Sequence, residues 1–139
     1  MNAAQNAYRR SAVSQWTRID LLVALYAATH KTLVRGADAL DRADERESAA
    51  ATLRAQNQLL ALLDGLQPEP GSTAENVQRL LVYCMQRISA RDAACWRQAA
   101  EIVSTLRSGF EGICEEARTL EQTGEIPALD AQMSRAIVA

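Results

Sequence analysis

The stretch that decides the fold is Leu53-Arg54-Ala55-Gln56-Asn57-Gln58-Leu59-Leu60-Ala61-Leu62-Leu63. Leu53, Gln56, Leu60 and Leu63 recur at steps of three and four, the period of one face of an α-helix. Leu66 or Gln67 extends this stripe, and Leu59 and Leu62 widen it beyond a narrow seam. The spacing predicts a helix from about Ser48 to Leu66 with this stripe as its inner face. Gln56 falls on the stripe and Asn57 at its margin. A buried amide costs roughly a few kcal/mol unless something hydrogen-bonds to it. Either a core partner such as Tyr26 or Tyr83 satisfies these amides, or the face is built to meet another chain.

Three further helices surround this one. Thr17-Arg18-Ile19-Asp20 has the form of a capping box. From it Ile19, Leu22, Tyr26, Leu33, Ala37 and Leu40 run on at heptad-like spacing to about Arg42. Asp41 to Glu47 reads as a charged, solvated turn. Gln67-Pro68-Glu69-Pro70-Gly71 is the clearest break in the chain. The capping box Ser72-Thr73-Ala74-Glu75 then opens a third helix, with Val77, Leu80, Leu81, Cys84, Met85 and Ile88 facing inward. Asp92 is the expected N-cap of a fourth. That helix sets Cys95 or Trp96, Ala99, Ile102, Val103, Leu106, Phe110 and Ile113 on one side.

Four amphipathic helices on short connections predict an all-α, antiparallel up-down four-helix bundle. Residues 1–16 form an N-terminal arm carrying Tyr8, Val13 and Trp16, residues 17–120 the bundle, and residues 121–139 a tail. Leu129, Met133, Ile137 and Val138 give the tail the spacing of a short amphipathic helix.

Composition narrows the function. The chain has 139 residues and a formal net charge of −2, which gives no reason to expect nucleic-acid binding. No run approaches the ~20 apolar residues of a membrane span. The first apolar segment follows Arg9, Arg10 and Arg18 and is broken by Asp20 and His30, unlike a signal peptide. Cys84, Cys95 and Cys114 are odd in number and lack CxxC spacing, so they read as buried thiols in a reducing, cytoplasmic compartment. With one histidine there is no catalytic constellation, and neither a metal nor another cofactor is expected. His30, followed by Lys31, Arg35 and Gly36, only loosely matches a histidine-phosphotransfer helix. Arg87, one turn after Tyr83, is placed to reach a partner's carboxylate or carbonyl.

In order along the chain, these motifs resemble one family. Ala7-Tyr8-Arg9-Arg10, Val13 and Leu21-Leu22-Val23-Ala24-Leu25-Tyr26 are similar to the opening of the flagellar export chaperone FliS. Arg54-Ala55-Gln56-Asn57 before leucines, Leu80-Leu81-Val82-Tyr83-Cys84-Met85-Gln86-Arg87-Ile88, and Leu106-Arg107-Ser108-Gly109-Phe110 resemble its later helices. Thr17-Arg18 stands where the family has Ser-Pro, Leu81 where it has Tyr, and Phe110 where it has Trp. The resemblance implies a cytoplasmic, non-enzymatic chaperone. Such a protein binds the disordered C-terminal segment of flagellin, prevents its premature polymerisation and delivers it to an export-gate component.

Coupled folding of such a segment needs a wide apolar face and a few polar groups that fix register. The candidate partner-binding residues are Tyr8, Val13, Gln56, Asn57, Leu60, Leu63, Tyr83 and Arg87. An apolar groove left open invites a homodimer of the unliganded chain, or cover by the arm or tail. A generic helical adaptor and the phosphotransfer domain remain as other readings.

Overall fold

A computed structural model describes residues 18–112, Thr119 and residues 122–124. The described residues form four helices and no strand: α1 (Arg18–Asp41), α2 (Glu45–Asp64), α3 (Thr73–Ile88) and α4 (Ala93–Gly112). Helix α1 packs most extensively on α4 and α2, α4 also packs on α3, and the α2–α3 seam is the thinnest of the four. Consecutive helices are neighbours and the last closes on the first, which is the up-down bundle the periodicity predicts. The expected arm, the Thr17 cap, Ile113, Cys114 and most of the tail lie outside the described residues.

Each boundary has a local cause. The Asp44 carboxylate accepts a hydrogen bond from the Glu47 amide at 3.1 Å, so α2 begins three residues before the expected Ser48. Of the charged run 41–47 read as a solvated turn, all of it exposed, residues 42–44 make the turn and residues 45–47 are instead the first turn of α2, where Glu45 and Glu47 suit the helix dipole. Ser72 caps α3 by accepting from the Glu75 amide at 3.1 Å, while the Glu75 carboxylate accepts from the Gly71 amide. The Asp92 carboxylate accepts from the Ala94 amide at the head of α4.

The inner face of α2 differs from the expected one. Its buried residues are Ser48, Ala51, Ala55, Leu59 and Leu62. Leu53 and Leu60, expected inside, are 62% and 51% exposed, and Gln56 is exposed with them. Both sets have heptad spacing. The buried set is small at its N-terminal end, Ser48, Ala51 and Ala55, and leucine at its C-terminal end, Leu59 and Leu62. Leu80 of α3, also expected inside, is exposed, whereas Val77, Leu81, Cys84 and Ile88 are buried as expected and Met85 is half-buried.

The core centres on Trp96, Tyr26, Leu25, Leu33, Leu59, Leu81 and Val103. Tyr26 stacks on Phe110 with ring centroids 5.3 Å apart, rather than pairing with Gln56 or Asn57, which face solvent. Two buried hydroxyls are satisfied within α1: Thr29 donates to the Leu25 carbonyl and Thr32 to the Ala28 carbonyl. Cys84 and Cys95 are buried free thiols. No described helix is long and apolar enough to cross a membrane.

Candidate partner-binding face

With Ser48, Ala51, Ala55, Leu59 and Leu62 turned inward, the other heptad stripe of α2 points outward. Leu53 and Leu60 are seven residues apart, two turns of one helix face, with Gln56 and Asn57 between them. All four are exposed. Two leucines at this spacing, with an amide pair at the midpoint, form an apolar strip with built-in hydrogen-bonding groups. Leu63 is only half-buried and packs at the margin of the core, so it joins this strip to the interior.

Helix α3 contributes a second exposed set. Leu80 and Tyr83 are 40% and 37% exposed and lie one turn apart. The Arg87 guanidinium sits over the Tyr83 ring, 5.7 Å from its centroid, a cation–π contact that orients both side chains. Arg87 is half-buried, and its Nε is buried without a hydrogen-bond partner. Its positive charge opposes the rise of the Cys95 thiol on α4. Val82 is also exposed, a third of a turn away from Tyr83.

The structure therefore groups the proposed residues in two. Gln56, Asn57 and Leu60 share the outer face of α2, with Leu63 at its edge, and Tyr83 and Arg87 share a flank of α3. Tyr8 and Val13 lie outside the described residues. Leu53, Gln56, Leu60 and Leu80, expected on inner faces from their spacing, lie on these surfaces instead. The seven-residue step between Leu53 and Leu60 was visible, but it carries no sign of which way the stripe points.

Neither described cysteine offers a reactive group. Burial pushes the Cys84 thiol up to about 11. Burial, followed by its hydrogen bond to the Asp92 carboxylate, raises Cys95. Both thiols stay protonated at neutral pH, so the chemistry on offer at these faces is apolar burial and hydrogen bonding. His30 is half-buried on α1, beside Lys31, Val34 and Arg107.

The family model described as flagellar protein FliS matches residues 1–117. The chain belongs to the FliS family. Membership puts it among the flagellar export chaperones, in agreement with a helical bundle that carries apolar strips outside its core. No curated protein matches the chain. The FliS match takes in all four helices and ends five residues past Gly112, so the segment from Arg118 onward lies beyond it.

Proposed function

We propose that this chain is a cytoplasmic, non-enzymatic chaperone for the C-terminal segment of flagellin. It holds that segment until the segment reaches the export-gate component. The observation that carries the reading is the outward Leu53/Leu60 strip on a bundle whose core is complete without it. A soluble protein gains nothing in folding from leaving two leucines on one helix face, but a partner that folds on that face gains their burial. Removing a leucine side chain from water contributes about 1.5–3 kcal/mol, which helps offset the ordering of a disordered segment.

Gln56 and Asn57 would then fix register by hydrogen bonding to the bound segment, and Arg87 would meet a carboxylate or carbonyl. Leu80 and Tyr83 would extend the contact around the bundle. Tyr8 and Val13 of the arm would complete or cover the same surface. Calorimetry with a peptide of the flagellin C-terminal segment tests the reading. The expected result is a 1:1 complex that loses at least roughly tenfold in affinity in Leu53→Ser/Leu60→Ser, equal to the loss of about 1.4 kcal/mol. The double variant should keep its helical circular dichroism. An absence of binding at tens of micromolar would remove the reading, and unchanged binding in the variant would move the site elsewhere.

A further inference from the structure

A different face of the molecule carries a second surface. Residues 21–37 of α1 contain no Asp or Glu, while His30, Lys31 and Arg35 all fall in this stretch. The outer side of α1 holds an open depression of 510 Å³, floored by Ala27 and Val34 and edged by His30, Lys31, Arg35 and, from α4, Arg107. Lys31 and Arg35 are exposed. The Arg107 Nε is buried without a hydrogen-bond partner, and among the described residues the Glu111 carboxylate, 3.5 Å away, is the acid paired with it. On the α2 side, Arg35 also borders a smaller depression with Arg54 and the acid Glu47. In a chain of net charge −2, a basic rim around an apolar floor is a local inversion of the overall balance.

We propose that this α1–α4 depression is a second docking surface, separate from the Leu53/Leu60 strip, for an acidic amphipathic peptide segment of another protein. The partner's chemistry follows from the lining. Carboxylates suit the Lys31, Arg35 and Arg107 rim, where Arg groups can pair with them bidentately. An apolar side chain suits Ala27 and Val34, which a bare anion or a nucleic-acid backbone would leave unused. The two surfaces use different helices, so a chaperone loaded along α2 and α3 keeps this one free for a second partner.

The test uses full-length protein and a fluorescein-labelled helical peptide with Glu at successive i, i+4 positions and Leu on the adjacent face. A control peptide carries Lys in place of each Glu. The Glu peptide should bind and the Lys peptide should not. Binding should weaken as salt rises from 50 to 500 mM, because these charges are at the surface. Lys31→Glu/Arg35→Glu changes only exposed side chains and should reduce binding roughly tenfold or more, as expected for two reversed surface pairs. The same variant should leave binding of the flagellin peptide unchanged.

Equal binding of both peptides, or a Glu peptide indifferent to the double reversal, overturns the proposal. The chain's own segment after Gly112 is acidic too, with Glu115, Glu116, Glu121, Glu125 and Asp130. If the peptide binds only after Glu115, Glu116 and Glu121 are changed to Gln, that segment is the occupant and the proposal is likewise overturned.

Discussion

The indole of Trp96 on α4 occupies the space that a side chain at Gly36 on α1 would fill: a Cβ there would overlap the ring at Cζ3 and Cε3. Trp96 is 1% exposed and among the largest buried side chains, so it has no route to step aside. The α1–α4 contact, the most extensive in the bundle, is therefore keyed by a residue with no side chain. With two ring atoms well inside contact distance, overpacking by Gly36→Ala should cost about 2–3 kcal/mol, a net loss of about 1–2 kcal/mol after the gain in helix propensity of about 1 kcal/mol. Urea unfolding followed by circular dichroism reads this directly. A variant as stable as the parent would mean that the ring can shift.

The orientation of α2 makes a sharper forecast, because Leu59 and Leu60 are neighbours in sequence with opposite fates. Leu59 is fully buried and Leu60 is 51% exposed. Leu59→Ala should cost about 2–5 kcal/mol. Leu60→Ala should change stability by no more than about 0.5 kcal/mol. The reverse order in chemical denaturation would restore the stripe that the leucine count suggested.

The turn between α1 and α2 stores removable strain. Ala43 has φ 54°, while the Asp44 amide donates to the Ala39 carbonyl at 2.9 Å to close the end of α1. A left-handed alanine costs about 1–2 kcal/mol that glycine avoids. Ala43→Gly should therefore raise stability by about 1 kcal/mol, seen as a higher denaturation midpoint at unchanged slope.

Alkaline pH should weaken the bundle in a defined window. The Cys84 thiol is held up to about 11 from an ordinary value of 9.0 by burial, and burial also raises the Tyr26 phenol, with Cys84 adding to it. Above pH 9 the unfolded chain releases the Cys84 proton while the folded chain keeps it. The stabilisation is complete below pH 9 and declines as pH rises through about 11. The loss from Cys84 approaches about 2–3 kcal/mol at the top of that range. Thermal melts between pH 8 and 11 should show the midpoint falling, and Cys84→Ala, starting from a lower midpoint, should fall less steeply.

Much of the architecture was legible in the residues. Pro68, Pro70 and Gly71 break the chain where backbone rules require it. Ser72 and Glu75 announce α3 because a cap is a local interaction that needs nothing beyond its own turn. Asp44 had the same kind of signal, but it was submerged in a run of charges that also suits a solvated loop. Of the proposed site residues, Gln56, Asn57, Leu60 and Tyr83 are exposed, but Gln56 and Leu60, like Leu53 and Leu80, were expected on an inner face.

By itself the sequence determined the helical class, the order of four helices, their main breaks and the kinship with FliS. These depend on local propensity, caps and motif order. Only the tertiary structure decided which way α2 points. Two heptad stripes run along that helix, one through Leu53, Gln56 and Leu60 and one through Ser48, Ala51, Ala55, Leu59 and Leu62, and periodicity rates them equally. Hydrophobicity alone favours the leucine-rich stripe, but the bundle buries the stripe that is small along the first half of α2, at Ser48, Ala51 and Ala55, and leucine along the second, at Leu59 and Leu62. Which side chains fit between the helices is a property of the assembled bundle, and that packing left Leu53 and Leu60 outside.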